Sequence, residues 1–282
     1  EKRTEIWQRK TGYTYYADPQ QVDFTLRMTV PALANEVLNT AGVDAQRKGF
    51  GIDKLKGKPL VGLSRIGIEI DDRPEQYTSY EIVTWVNEYN PDALDRNFTL
   101  HDAAGREFGR AVTQWCIIDL AVRKAIDLNT VIGPCTDTLV DAPSPTEKPR
   151  KVIGITPQHV MEHRVVYSDI DFNRHVNTMR YINMMFDMLT IEQLTAIRPV
   201  RLDIHFMHEC RYGETLTVGT NNGTACRCSR FRTERKPLVR RRSSGVEVLY
   251  FVVAGKAGSR PESTSFRSDF TIGFVPFWNG FC

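Results

Sequence analysis

The segment Ser168-Asp169-Ile170-Asp171-Phe172-Asn173-Arg174-His175-Val176-Asn177 crowds acids, amides and an imidazole into one short stretch. A strand-like run from Glu162 to Tyr167 precedes it and a helical pattern follows, so it reads as a strand-to-helix turn. Such a turn offers backbone N–H groups at about Val176 and Asn177 that could hold an oxyanion, and His175 can move protons near pH 7. The same residue types also favour Asx turns and helix caps for purely local reasons, so residue chemistry leaves both readings open. Farther along, Cys210 could serve as a thiolate nucleophile with His175 as base, although a cysteine on an apolar strand face is also ordinary packing.

The elements that must position these groups occur twice. Early in the chain, Thr14 to Arg27 is strand-like. A helix is predicted over Pro31 to Ala41, with proline at its start and Gly42 just past its end. Strand patterns follow at Leu60 to Ile70, Ser79 to Val86 and Arg110 to Leu120. The second half repeats this order. A helical pattern runs from about Thr178 to Leu194 with Tyr181, Met185, Met188 and Leu189 on one face, then strands at Val200 to Phe206 and Glu214 to Thr220. The repeat implies an internal duplication of α+β units. Methionines 179, 184, 185 and 188 would suit a greasy tunnel, but they suit a plain core better.

The halves are separated by a stretch holding five of the 14 prolines (Pro134, Pro143, Pro145, Pro149, Pro157), which reads as a linker. The organisation expected is therefore residues 1–132, a linker over 133–157, and residues 158–282. With 282 residues, 41% hydrophobic and 25% charged, the composition is globular and excludes disorder, collagen and coiled coil. No apolar run is long enough for a membrane span and the N-terminus has no signal-like segment, so a soluble, cytoplasmic protein is expected. Six scattered cysteines make neither a disulfide scaffold nor, at Cys226-x-Cys228 alone, a zinc site.

The motif at 168–177, continued by Thr178-Met179-Arg180-Tyr181-Ile182, resembles the Ser-Asp-x-Asp-x-Asn-x-His-Val-Asn-Asn-x-x-Tyr signature of plant and bacterial acyl-ACP thioesterases, departing only at Thr178. Leu63-Ser64-Arg65, Asp102 to Gly105 before Arg110-Ala111, the Trp115 strand and His208-Glu209-Cys210 resemble other parts of that family. The resemblance implies a double hotdog fold, in which two antiparallel sheets each wrap a long helix. It also implies hydrolysis of the thioester of a fatty acyl chain on acyl carrier protein, without cofactor or metal. Carried over position by position, the catalytic set is Asp171, Asn173, His175, Glu209 and Cys210. Glu209 is either the base that activates water or a nucleophile forming an anhydride, and is favoured over Cys210. The matching turn of the first half holds Asp18 but no Asn-x-His, so one active site is expected, with the first half supplying the acyl-tail pocket. Acyl carrier protein is the implied partner, with no nucleic acid or membrane, and homodimerisation is left open. Acyl-CoA hydrolysis, enoyl-thioester hydration and non-catalytic acyl binding are the alternatives on the same fold.

Beyond about Asn221 the resemblance is lost. Residues 221–282 carry 11 Lys+Arg against 4 Asp+Glu, a net charge of +7, whereas residues 1–220 carry −4. Arg240-Arg241-Arg242 would suit nucleic acid or an acidic protein, but a solvated tail is the plainer reading. A shifted reading frame would explain the arginine and serine enrichment. It would leave the second sheet without its last strands and Val248 to Ala254 as an aggregation-prone segment.

Overall fold

In the computed structural model, which describes residues 10–49, 60–119, 124–129, 139–149, 159–196, 200–206, 210–220, 249–256 and 271–276, the first strand is β1 (Thr11–Tyr16). It is shorter than the run expected to Arg27, because the chain leaves the sheet at Ala17 for a 3-10 turn, Pro19–Gln21, and a tight loop to Thr29. Helix α1 (Val30–Arg47) starts where Thr29 accepts from the Ala32 N–H at 3.1 Å, with Pro31 in the first turn, where a missing N–H costs nothing. It runs through Gly42 instead of ending there. Asp44, one turn from its end, is fully buried and accepts from the Tyr13 hydroxyl (3.0 Å) while pairing with Arg96 (2.5 Å) and Lys48 (3.0 Å). Burial alone would raise this carboxyl, but the two cations hold it below the usual carboxylate range.

Strands β2 (Leu60–Ile70), β3 (Ser79–Tyr89), β4 (Leu94–Asp102), β5 (Glu107–Asp119) and β6 (Lys124–Ile126) complete the first half. The sequence reading has no counterpart of β4, because Asp95, Arg96 and Asn97 interrupt its apolar pattern and are nonetheless buried. The second half repeats the order with β7 (His159–Arg164), a 3-10 turn at Tyr167–Asp169, and α2 (Thr178–Phe186). A short helix α3 (Ile191–Ala196) precedes β8 (Val200–His205) and β9 (Thr215–Thr220). The single helix expected over 178–194 is broken because Thr190 and Gln193 bond reciprocally, side chain to backbone, and start a new helix.

Two C-terminal strands, β10 (Leu249–Lys256) and β11 (Thr271–Pro276), correct the expectation of a truncated second sheet. β10 pairs with β9 and β11, and β11 also pairs with β8, so residues 249–254 of the segment expected to be aggregation-prone lie in an interior strand, not a bare edge. The basic run at 226–242 lies outside the described residues.

The strands of the described residues form one 11-stranded sheet in the order β1-β3-β4-β5-β2-β8-β11-β10-β9-β7, with β6 beside β5. The halves meet where β2 and β8 pair antiparallel, Ile66 opposite Ile204 and Ile68 opposite Leu202. Leu33, Val37, Ile182 and Met185 of the two helices join these isoleucines in one apolar cluster, so both helices cover the same face. Met184 and Met185 belong to this core. On the opposite face the described part of the proline-rich stretch, 139–149, crosses the strands: Val140 N–H donates to Val86 O at 2.8 Å and Asn87 donates to Ala142 O at 3.1 Å. Arg201, only 1% exposed, lies beneath it at the seam, bound to Asp203 at 2.9 Å, to Glu69, and to the Thr146 hydroxyl at 3.1 Å.

Because removing one member of a buried ion cluster strands its partners, Arg201→Met should destabilise the fold by about 3–5 kcal/mol. Urea unfolding followed by circular dichroism measures this, and a midpoint within error of wild type would contradict it.

Candidate active site

The turn after β7 is shaped by its own side chains. The Asp171 carboxylate accepts from the backbone N–H of Asn173 at 2.8 Å and of His175 at 3.3 Å, while Arg174 N–H donates to Asp171 O at 3.0 Å. Arg174 therefore takes the left-handed conformation, φ 64°. His175 pairs with Arg211 across a β-bridge, and Val176 N–H donates to Cys210 O at 2.8 Å. The backbone thus brings Asp171, Asn173, His175 and Cys210 into one place. Glu209 lies outside the described residues.

The expected oxyanion donors are not available. Val176 N–H is taken by Cys210 O, and Asn177 N–H donates to Asp169 O at 2.8 Å. The half-buried Asn173 side-chain amide, which has no hydrogen-bond partner among the described residues, is a donor left in the turn. Cys210 is 2% exposed. Burial pushes its thiol up, only partly offset by the Tyr181 hydroxyl against it, so little thiolate exists at neutral pH. It is also not carried on β8, which ends at His205, so the strand alternation does not extend to it.

Sequence reasoning missed the residue that anchors this turn. Asp169, fully buried, accepts from His163 Nε2 (2.6 Å), Val166 N–H (2.8 Å) and Arg180 Nε (2.8 Å). It thereby ties β7 to the first turn of α2 across the loop that carries Asp171, Asn173 and His175. Desolvation opposes its ionisation, but the Val166, His163 and Arg180 donors outweigh it and hold the carboxyl below its ordinary value. Its signal in the sequence was a second acid two residues before Asp171, hidden by the Asx-turn explanation. Asn177 then caps α2, accepting from Met179 N–H at 2.9 Å.

The first half carries the same turn with different chemistry. Asp23 accepts from Thr25 N–H at 2.9 Å, Leu26 has φ 57°, and Met28 N–H donates to Pro74 O at 2.9 Å. The counterpart of Asp171 is thus Asp23, not Asp18, with Thr25 and Arg27 where the second half has Asn173 and His175. Arg73, 6% exposed, fills this turn by pairing with Asp23 (2.5 Å) and donating to Met28 O (3.1 Å) and the Thr25 hydroxyl (3.2 Å). Arg27 is likewise occupied, by Asp72 at 3.2 Å and Glu75 at 2.6 Å. Between the two helix starts lies a cleft of about 340 Å³ lined mainly by polar groups, among them Gln20, Gln21, Asn35, Asn177, Arg180 and Asn183. Met179 is the one methionine lining this cleft, so it is not a methionine-lined tunnel.

Family models match both halves: the acyl-ACP thioesterase N-terminal domain over residues 8–132 and the C-terminal domain over residues 155–262. The chain belongs to the acyl-ACP thioesterase family. The C-terminal match runs past Asn221, where the sequence alone showed no resemblance. An acyl-ACP thioesterase from Bacteroides thetaiotaomicron superposes with a TM-score of 0.76 at 28% identity, covering 98% of this chain and 99% of that one. The 12:0-ACP thioesterase of Umbellularia californica shares the double hotdog fold with a TM-score of 0.71 at 14% identity, covering 96% of this chain and 97% of the other. The chloroplastic oleoyl-acyl carrier protein thioesterase of Coriandrum sativum is 25% identical over 215 residues, 70% of this chain and 58% of the relative. The chain spans about half the length of the curated relatives it matches.

Two outcomes follow from this geometry. In the native protein the peptide containing Cys210 should be alkylated by iodoacetamide far more slowly at pH 7.5 than after unfolding, as read by mass spectrometry; equal rates would show an accessible thiolate. Asp169→Asn should lower stability at pH 7. Because the folded-state pKa of Asp169 is depressed, that deficit should be full above about pH 4 and shrink as pH falls through the folded value, which urea midpoints across pH would register.

Proposed function

We propose that the chain hydrolyses the thioester of a fatty acyl group carried on acyl carrier protein, using the turn of the second half and no cofactor. The observation that carries this reading is the pairing of the Asp171-x-Asn173-x-His175 turn with the Cys210-Arg211 segment, in a family of acyl-ACP thioesterases.

A thioester has a good leaving group, so the protein must supply an activated water, a donor for the carbonyl oxygen and a proton for the sulfur. In our reading Glu209 and His175 draw a proton from water as its oxygen adds to the carbonyl carbon. The Asn173 amide donates to the oxygen that gains charge. The intermediate then collapses with loss of the thiolate, which His175 protonates, leaving a free fatty acid. Asp171 acts on His175 through the backbone, since its carboxylate bonds the His175 N–H.

Glu209 is supported by the first half. There Arg73, one residue before the bridging Pro74, reaches the Asp23 turn; Glu209 holds the same chain position before Cys210. Cys210, buried and with a raised thiol pKa, suits packing better than attack. The first half, its turn closed by Arg73, would serve the acyl tail. No described helix is long and apolar enough to cross a membrane.

Thiol release from acyl-ACP, acyl-CoA and an enoyl thioester tests the substrate class, with acyl-ACP expected to be preferred. Cys210→Ala should retain most activity, whereas Glu209→Gln should lose it by about 10²–10⁴-fold, as the loss of a general base does. A folded but inactive Cys210→Ala protein would overturn the assignment.

A further inference from the structure

Around the second-half turn the surface is unusual in being both aromatic and basic. Tyr167 is 88% exposed, Phe172 74% and Tyr212 70%, large apolar areas to leave in water. They belong to one surface: Ile170 N–H donates to Tyr167 O at 3.2 Å, Gly213 N–H donates to Val165 O at 3.0 Å, and His175 bridges to Arg211. Arg164, Arg174 and Arg211 are exposed on the same segments, and none of them forms an ion pair among the described residues. Arg180, by contrast, is committed to the buried Asp169.

The first half supplies the comparison. Its turn also exposes apolar side chains, with Phe24 56%, Leu26 61% and Tyr77 61% exposed. Yet its arginines are neutralised, Arg27 by Asp72 and Glu75 and Arg73 by Asp23. Among the described residues, an apolar rim with arginines outside any ion pair therefore surrounds the turn that carries Asn173 and His175 and not its first-half counterpart.

We propose that Arg164, Arg174, Arg211, Tyr167, Phe172 and Tyr212 form the docking face for an acidic carrier protein that presents its thioester to the adjacent turn. This rests on the acyl-ACP reading above. The arginines steer an acidic partner and set the salt dependence of encounter, while the aromatic side chains give the contact its apolar centre. The face leads directly to the turn, so a docked carrier needs only a short tether to reach it.

Binding of holo acyl carrier protein, followed by fluorescence anisotropy, tests the face without requiring turnover. The Arg164→Glu/Arg211→Glu variant should bind about tenfold more weakly at low salt, and the difference from wild type should shrink at 0.5 M salt, where such charges are screened. Tyr167→Ser, which changes no charge, should weaken binding at both salt concentrations. Phe24→Ser, on the first-half rim, should bind like wild type. Thermal melting verifies that each variant is folded. Unchanged affinity in both second-half variants, or an equal loss in Phe24→Ser, would overturn the proposal. In parallel assays, a wild-type protein that binds the carrier but releases no thiol would remove the thioesterase reading and leave the docking face standing. One that hydrolyses acyl-ACP with affinity indifferent to these substitutions would do the reverse.

Discussion

The pairing of β2 with β8 is the constraint from which the rest of this architecture follows. Each half, a helix against a short antiparallel sheet, would otherwise end in an edge of unsatisfied N–H and C=O groups. Joining the two edges satisfies both and places α1 and α2 side by side on one face. The seam also accepts a cost. Arg201 is buried there, and a buried charge is tolerable only when fully paired, which Asp203, Glu69 and the Thr146 hydroxyl accomplish together. The same residue therefore pins the connecting segment to the sheet that it connects.

Duplication gave the molecule two turns of one shape, and their side chains have diverged in what they leave free. In the first, the acid, the cation at the imidazole position and the cation before the bridge are all engaged in ion pairs. In the second, the acid is used on the loop backbone and the Asn173 amide remains available. Rigidity is supplied from beneath instead, by Asp169 with His163 and Arg180. The first half has Gln21, Tyr15 and Ala32 at the corresponding positions and no such ionic anchor. Positioning from a buried layer holds the turn in place without consuming the side chains of Asn173 and His175.

Much of this was legible beforehand because it is encoded locally. The run Leu60–Ile70 coincides with β2, the alternation from Val200 with β8, and the 168–177 motif with a strand-to-helix turn. What failed had distant causes. Helix α1 passes Gly42 because Asp44 is held by Tyr13 and Arg96, residues far away in the chain. β4 escaped notice because its polar residues are buried by partners that periodicity does not reveal.

The C-terminal segment shows the same division. Its composition suggested a broken sheet, yet β10 and β11 close it, because strand pairing is satisfied by backbone groups that every sequence carries. By itself the sequence determined the duplication, the α+β class and the residue types gathered at one turn, since these depend on spacing along the chain. Only the tertiary structure decided which N–H groups remain free, that Cys210 is sealed from solvent, and that Asp169 underlies the turn, since burial and hydrogen-bond partners are set by residues far apart in sequence.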